Sequence, residues 1–400
     1  MRFALSIFYK NIIFDDLKNI PLDKPSIFAC THPNSFLDAI IIGAYSPRKL
    51  YFLARSDVFN TPLKMWLLSR MNLIPIYRLQ EGSENLHKNE LTFSKCYDIM
   101  KKGGSILIFS EGISVTDKLV RPLKKGTARI AFGAEAFNAF QLGLQIIPMS
   151  LNYTHPTQFR SEVIIGIKKP IAIKKYQSLY EESQTKAIRQ FNAELYEGIK
   201  SATIIVNNNS TEGVLYEKVA PILRSQLNNP ISHRLKLEQQ WSDRTKQVTF
   251  IQNLPNYPSS HTVQTEQIIN GQLVSSLSAF GIAFLNAILW FIGYIPNAIP
   301  FLIAKTVTAK TVKLIEFYAS VRLCLSVVLY LVYWPFFSYI IGSLLDLSFI
   351  FVGAIFILTG MLYVRNRDQY RAIKMAKKFF SRKNAEELIR FREEVITEFN

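Results

Sequence analysis

The 400-residue chain carries a formal charge of +17 and 49% hydrophobic residues, so it can bury a large core and attracts something acidic: nucleic acid or an anionic membrane face. Its three cysteines, Cys30, Cys96 and Cys324, lie far apart, a pattern that supports neither a disulfide framework nor a zinc site and suits a reducing compartment. The stretch from Met1 to Tyr9 is too short and too weakly apolar for a secretory signal and reads as a helix lying on a membrane surface.

From Asn11 to about Ile167, short apolar runs alternate with longer helical patterns. Residues 12–14, 26–30, 51–54, 73–77, 105–109, 144–151 and 163–167 read as strands, and residues 60–70, 84–102 and 127–140 as helices. The alternation predicts an α/β domain over residues 1–175, with a mostly buried sheet flanked by helices. Residues 176–266 turn helical and polar and are expected to extend that domain, with Asn207-Asn208-Asn209-Ser210 as a turn.

Composition then changes. No charged residue occurs in 267–304, in 323–345 or in 347–364. At about 1.5 Å per helical residue, the second run can cross a hydrocarbon core of roughly 30 Å, and the third is near the lower limit. The first run holds Pro296 and Pro300, each of which removes an amide donor, so a bent or re-entrant segment is expected at 267–304 and a membrane hairpin at 323–364. Lys305, Lys310, Lys313 and Arg322 precede the hairpin; Arg365, Arg367, Arg371 and Lys374 follow it. The positive-inside rule puts both clusters, the basic helical tail 365–400 and the α/β domain on the cytoplasmic face of a multi-pass membrane protein.

The chemistry begins at the carboxyl end of the 26–30 strand, in Thr31-His32-Pro33-Asn34-Ser35-Phe36-Leu37-Asp38. Imidazole titrates near ~6.5, so His32 suits a general base, and a carboxylate such as Asp38 fixes its tautomer and stabilises the imidazolium. Ser35 and Asp38 also fit a capping box, which is structural. Leu73-Ile74-Pro75-Ile76-Tyr77-Arg78 ends a strand in an arginine able to clamp phosphate in bidentate fashion or simply to be solvated. In Ile106-Leu107-Ile108-Phe109-Ser110-Glu111-Gly112 a strand delivers a glutamate onto a tight turn, to bind a polyol hydroxyl or to hold a loop. Arg121, Lys124 and Lys125 precede a helix starting near Thr127, whose free amides attract phosphate, and Ile147-Pro148 lies in one more strand.

In this order, the motifs resemble those of the phospholipid/glycerol acyltransferase family over roughly residues 10–170: His32 and Asp38, then Ile74-Pro75-Ile76-Tyr77-Arg78, Phe109-Ser110-Glu111-Gly112 and Ile147-Pro148. There are departures. Five residues separate His32 from Asp38 where the family has four, Ile113-Ser114 stands where Thr-Arg is usual, and Asn72 stands near a usual glycine. The combination looks most like the branch that acylates glycerol 3-phosphate or dihydroxyacetone phosphate.

The resemblance implies transfer of a fatty acyl group from acyl-CoA or acyl-carrier protein to a hydroxyl, in phospholipid biosynthesis. His32 and Asp38 would be catalytic, Arg78, Glu111, Gly112 and Lys124 would bind the phosphorylated acceptor, and no metal or other cofactor is implied. The partners expected are a lipid membrane, the thioester donor and the acceptor. Lysophosphatidic acid or another lysolipid is the alternative acceptor, and Ser35 as an acyl-enzyme nucleophile is a lesser alternative. A non-catalytic membrane protein binding acidic lipids would use the same basic patch and apolar tail but leaves the His, Arg and Glu-Gly set unexplained. Nucleic-acid binding fits the charge alone, without a recognisable module.

Overall fold

The computed structural model describes residues 1–77, 87–207, 209–227, 233–247, 263–270 and 276–399. The first half runs α1 (Arg2–Phe8), β1 (Asn11–Asp15), β2 (Ser26–Cys30), α2 (Phe36–Tyr45), β3 (Leu50–Arg55), α3 (Pro62–Arg70), β4 (Leu73–Ile76) and α4 (Asn89–Lys101). It continues with β5 (Ser105–Phe109), α5 (Gly126–Phe137), β6 (Gln145–Tyr153), β7 (Glu162–Ile167), β8 (Ile171–Ala172), α6 (Gln177–Glu182) and α7 (Gln184–Ser201). The helical remainder is α8 (Thr211–Ser225), α9 (Arg234–Thr245), α10 (Val263–Asn270), α11 (Ser276–Thr311), α12 (Ile315–Leu345), α13 (Phe349–Phe380) and α14 (Ala385–Phe399).

The strands form one sheet in the order β1-β7-β6-β2-β5-β3-β4, with β8 on the side of β6. β2 lies between β5 and β6, parallel to both, in the register Cys30↔Phe109 and Cys30↔Met149. A strand enclosed on both faces and both edges is largely apolar, and every residue of Ser26–Cys30 is buried, with the Ser26 hydroxyl donating to the Lys24 carbonyl at 3.0 Å. The chain leaves β2 for β3 and β4 and returns to place β5 between β2 and β3, so the order reverses beside β2. Crevices at such a reversal, outside the carboxyl ends of the strands, are where open α/β sheets bind ligands.

Pro148 explains the change of partner along β6. Its carbonyl accepts from the Lys168 N–H at 2.9 Å, but proline has no donor to return. Pairing with β7 stops at Met149↔Ile167, and β8 takes over at Ile146↔Ile171. On the sheet face carrying Ile27, Ile106 and Ile146, α4, α5 and α7 complete the core. Ala187, Phe191, Leu195 and Ile199 of α7, spaced four residues apart, form the buried stripe. Gly198 allows this approach, because a Cβ there would stand 2.8 Å from Pro148.

The chain divides into two compact units. One comprises Met1–Arg2, Ile12–Pro156 and Glu162–Ile205; the other comprises Phe3–Asn11, Thr157–Ser161 and Val206–Asn400. The expected domain limits at 175 and 266 fall inside these units, because α6 and α7 pack with the sheet.

In the second unit, a carboxylate holds α8 to α9. Glu238 is fully buried and accepts from Arg224 at 2.7 Å and Arg234 at 2.8 Å. Three helices are long and apolar enough to cross a membrane: Ala287–Thr311 within α11, then α12 and α13. Within the segment expected to be bent or re-entrant, residues 276–311 form one continuous helix that contains both Pro296 and Pro300. Each proline removes a single amide donor, and polar side chains add bonds in the same stretch: Asn297 Nδ2 donates to the Gly293 carbonyl at 2.9 Å and the Tyr330 hydroxyl to the Asn297 carbonyl at 3.3 Å.

Candidate active site

β2 and β5 end side by side, and the two loops that follow them are tied together. The His32 carbonyl accepts from the Val115 N–H at 3.1 Å, Thr116 Oγ1 donates to the Pro33 carbonyl at 3.1 Å, and Ser114 Oγ accepts from the Ser35 N–H at 3.0 Å. The residue in place of the family's usual arginine is thus a strut between the first and third motifs.

His32 Nδ1 lies 2.9 Å from Asp38 Oδ2, which also accepts from the Asn34 N–H at 2.8 Å. Asp38 Oδ1 accepts from the Tyr153 hydroxyl at 2.6 Å, so both oxygens of this fully buried carboxylate are satisfied. An ionised carboxylate only accepts, so Nδ1 carries the proton and Nε2 presents a lone pair. The imidazole also stacks on Phe109, with ring centroids 3.6 Å apart and planes 11° apart, which fixes its rotation.

The capping-box alternative is not formed. The Ser35 side chain makes no cap bond to α2, and Asp38 reaches past Ser35 to the Asn34 amide. Between His32 and Asp38, Ser35 takes φ 50°, a conformation costly for a residue with a Cβ.

Glu111 is buried, and its Oε1 accepts from the Arg121 N–H at 2.9 Å. Burial raises its carboxyl above the usual range, against the pull of that amide, the Arg121 charge and His32. Arg121 is itself held by Asp117 through bonds of 2.7 and 2.5 Å. Gly112 makes the turn at φ 70°, and a Cβ there would stand 3.1 Å from Lys124 Cγ, so the lysine stem lies against the glycine. Lys124 is exposed and makes no ion pair among the described residues, while its N–H anchors the loop on the Ser110 carbonyl at 2.8 Å. Ser110 Oγ meets Thr127 Oγ1 at 3.0 Å at the start of α5.

The loops at the carboxyl end of the sheet thus carry His32, Glu111, Gly112 and Lys124, and the first turn of α2 carries Asp38. Arg78 lies outside the described residues. Among the described residues no group of histidine, cysteine, aspartate and glutamate side chains has the makings of a metal site. Sequence reasoning missed Tyr153, Phe109 and Asn34. The signal for Tyr153 was its place at the end of the strand beside β2; Phe109 is the last residue of the strand on the other side.

A histidine–carboxylate pair at the end of a parallel sheet, beside a Glu-Gly turn and a lysine, is an arrangement for deprotonating a hydroxyl next to an anionic group. A family model described as Acyltransferase matches residues 11–152, which supports the resemblance of this part of the chain to the phospholipid/glycerol acyltransferases. A chloroplastic 1-acyl-sn-glycerol-3-phosphate acyltransferase of Brassica napus is 28% identical over 194 residues, 46% of this chain and 52% of that protein. The glycerol-3-phosphate O-acyltransferase 2 of Saccharomyces cerevisiae is 28% identical over 151 residues, 37% of this chain and 19% of that one. The aligned part thus spans about half the length of the plant relative and far less of the yeast one. The crystal structure of the 1-acyl-sn-glycerophosphate acyltransferase PlsC from Thermotoga maritima is similar with 20% identity and a TM-score of 0.35, over 50% of this chain and 76% of that one.

Proposed function

We propose that the chain is a membrane-bound O-acyltransferase that moves a fatty acyl group from acyl-CoA or acyl-carrier protein to a hydroxyl of glycerol 3-phosphate or dihydroxyacetone phosphate. The observation that carries this reading is the His32–Asp38 pair, fixed in the tautomer a general base needs. His32 Nε2 takes the acceptor's proton as its oxygen attacks the thioester carbonyl. The tetrahedral adduct then expels the thiolate, which takes the proton back from the imidazolium. Asp38 holds the ring and stabilises its charged form. Lys124, with Arg78, neutralises the acceptor's phosphate, and Glu111 and Gly112 shape its pocket. The attack is direct, without an acyl-enzyme on Ser35.

A second acceptor, lysophosphatidic acid, is favoured by the longer alignment with the plant relative. Purified protein assayed with one thioester and each acceptor in turn decides between the two. Transfer to neither class would sink the reading.

For the topology, α12 and α13 supply two crossings, so the basic residues before and after them share one face, taken as cytoplasmic. The α/β domain is taken to share that face, and two contacts within the second unit bear on α11 and the turn 157–161. Arg160, in the turn 157–161, pairs with Asp368 beside the second basic cluster. α11 meets α13 there as well, with Trp290 stacked on Tyr370 and Gly293 against Thr359 and Tyr363. In this reading α11 dips into that leaflet and is not a third crossing.

A further inference from the structure

Within the second unit, three segments far apart in sequence bring an excess of guanidinium groups together. Arg160 donates to Asp368 at 2.8 Å and is held by the carbonyls of Ser6 and Tyr9, each at 3.0 Å. Arg367 reaches the other oxygen of Asp368 at 3.4 Å, and its guanidinium lies 5.0 Å from the centre of the Phe159 ring. Arg322 of α12 sits 5.8 Å from that same ring and 5.5 Å from Phe301. Arg322 has no carboxylate partner among the described residues, and Arg371 adds a further like charge that acts on Arg367.

Arg160 and Arg367 thus share one carboxylate while Arg322 lies over the same Phe159 ring as Arg367, and the exposure of the Arg160, Arg367 and Asp368 side chains is only 18%, 13% and 10%. Partly buried like charges repel strongly unless an anion compensates them. The planar N–H forks of arginine match phosphate oxygens, and a ring under the guanidinium leaves its in-plane donors free. The cluster stands where the uncharged run of α13 gives way to Arg365, Arg367 and Arg371, the depth of lipid headgroups. Stacked Trp290, Tyr294 and Tyr370 around Tyr363 mark the same depth, as aromatic belts do.

We infer that Arg160, Arg322 and Arg367 form a binding site for the phosphate of an anionic lipid headgroup, with Asp368 holding the arginines in place. The site is independent of the acyl-transfer reading, because it is built wholly from residues of the second unit and involves no reaction.

The test uses the purified full chain in neutral detergent, with thermal unfolding followed against short-chain phosphatidylglycerol, short-chain phosphatidylcholine and inorganic phosphate. Phosphatidylglycerol is neither donor nor acceptor in the proposed reaction, and His32→Ala should bind it as the unaltered chain does. Saturable stabilisation is expected from phosphatidylglycerol and not from phosphatidylcholine. Arg322→Gln should raise the half-saturating concentration at least ~10-fold, and Arg322→Lys should restore part of the loss. Lys310→Gln removes the same charge from an exposed position and should change nothing. Equal weakening by Lys310→Gln, or none by Arg322→Gln, overturns the site in favour of diffuse attraction. Inorganic phosphate acting at the same concentration as the lipid overturns the lipid assignment. If Arg322→Gln does not fold, a photoactivatable phosphatidylglycerol should label peptides bearing Arg160, Arg322 or Arg367 in the unaltered chain, and labelling elsewhere overturns the proposal.

Discussion

The Tyr153 hydroxyl donates to Oδ1 of Asp38 at 2.6 Å while Oδ2 of the same carboxylate faces His32, so a residue from β6 braces a base that follows β2. The brace works by denying the carboxylate any other orientation. Tyr153→Phe should keep the fold and leave one buried oxygen without a partner, at a cost of about 1–3 kcal/mol. Turnover should fall with little change in either KM, because the lost bond orients His32 and touches no substrate. Steady-state kinetics with each substrate varied would show this, and an altered acceptor KM at constant kcat would assign Tyr153 to binding instead.

His32→Ala should leave thermal unfolding nearly unchanged and lower kcat by roughly 10² to 10⁴. Asp38→Asn puts an amide donor among three donors, the His32 ring, the Asn34 amide and the Tyr153 hydroxyl, so it should lose both activity and stability. Near-full turnover in His32→Ala would remove the general base from the mechanism.

Glu111 predicts a pH dependence of stability. Burial raises its folded-state pKa above the unfolded value near ~4.3, so the folded chain holds this proton more tightly. Its contribution is full below the unfolded value and is lost as pH rises through the folded one. Glu111→Gln stays neutral and keeps an acceptor for the Arg121 amide. Its Tm should match that of the unaltered chain near pH ~4 and exceed it at pH ~7. A variant less stable at pH ~7 than at pH ~4, each relative to the unaltered chain, would mean that the ionised form is the one the fold favours.

Lys124→Ala should raise the acceptor KM, with the thioester KM little changed. Because Lys124 is exposed, the expected rise is about 10-fold, or ~1.4 kcal/mol. Arg78→Ala is expected to act in the same direction. A raised acyl-CoA KM at constant acceptor KM would move both residues to the donor side.

Single cysteines at Gln158, Lys310 and Lys374, with Cys324 replaced by Ser, should react from the same side of sealed vesicles, and one at Leu347 from the other. Labelling of Gln158→Cys and Lys374→Cys from opposite sides would refute the topology. Washing with high salt should leave the protein in the membrane, since salt screens charge but does not release buried apolar helices.

Much of the sheet was legible because its strands are enclosed. β2 and β5 fall at the expected residues, since a strand covered on both faces is a bare apolar run between polar turns. β8, with two residues, has no pattern to read, and exists because Pro148 leaves β6 an unfilled edge. His32 and Asp38 were legible as a pair, but choosing a relay over a helix cap required Tyr153, whose contact crosses from one strand to its neighbour. Local sequence does not encode that adjacency. The continuity of α11 was not legible, because proline rules describe an isolated helix and lead one to expect an interruption at Pro296 and Pro300.

The interleaving of the two units along the sequence bears on how the protein can be handled. Phe3–Asn11 and Thr157–Ser161 belong to the unit that contains the apolar helices. Phe8 packs edge-on against Phe159, and Phe159 against Phe301. A fragment ending at residue 205 would keep every motif of residues 11–152 yet strip the cover from both segments. Such a truncation should aggregate unless detergent takes the place of the missing helices, so a soluble catalytic core calls for redesign of these two stretches as well as a stop codon.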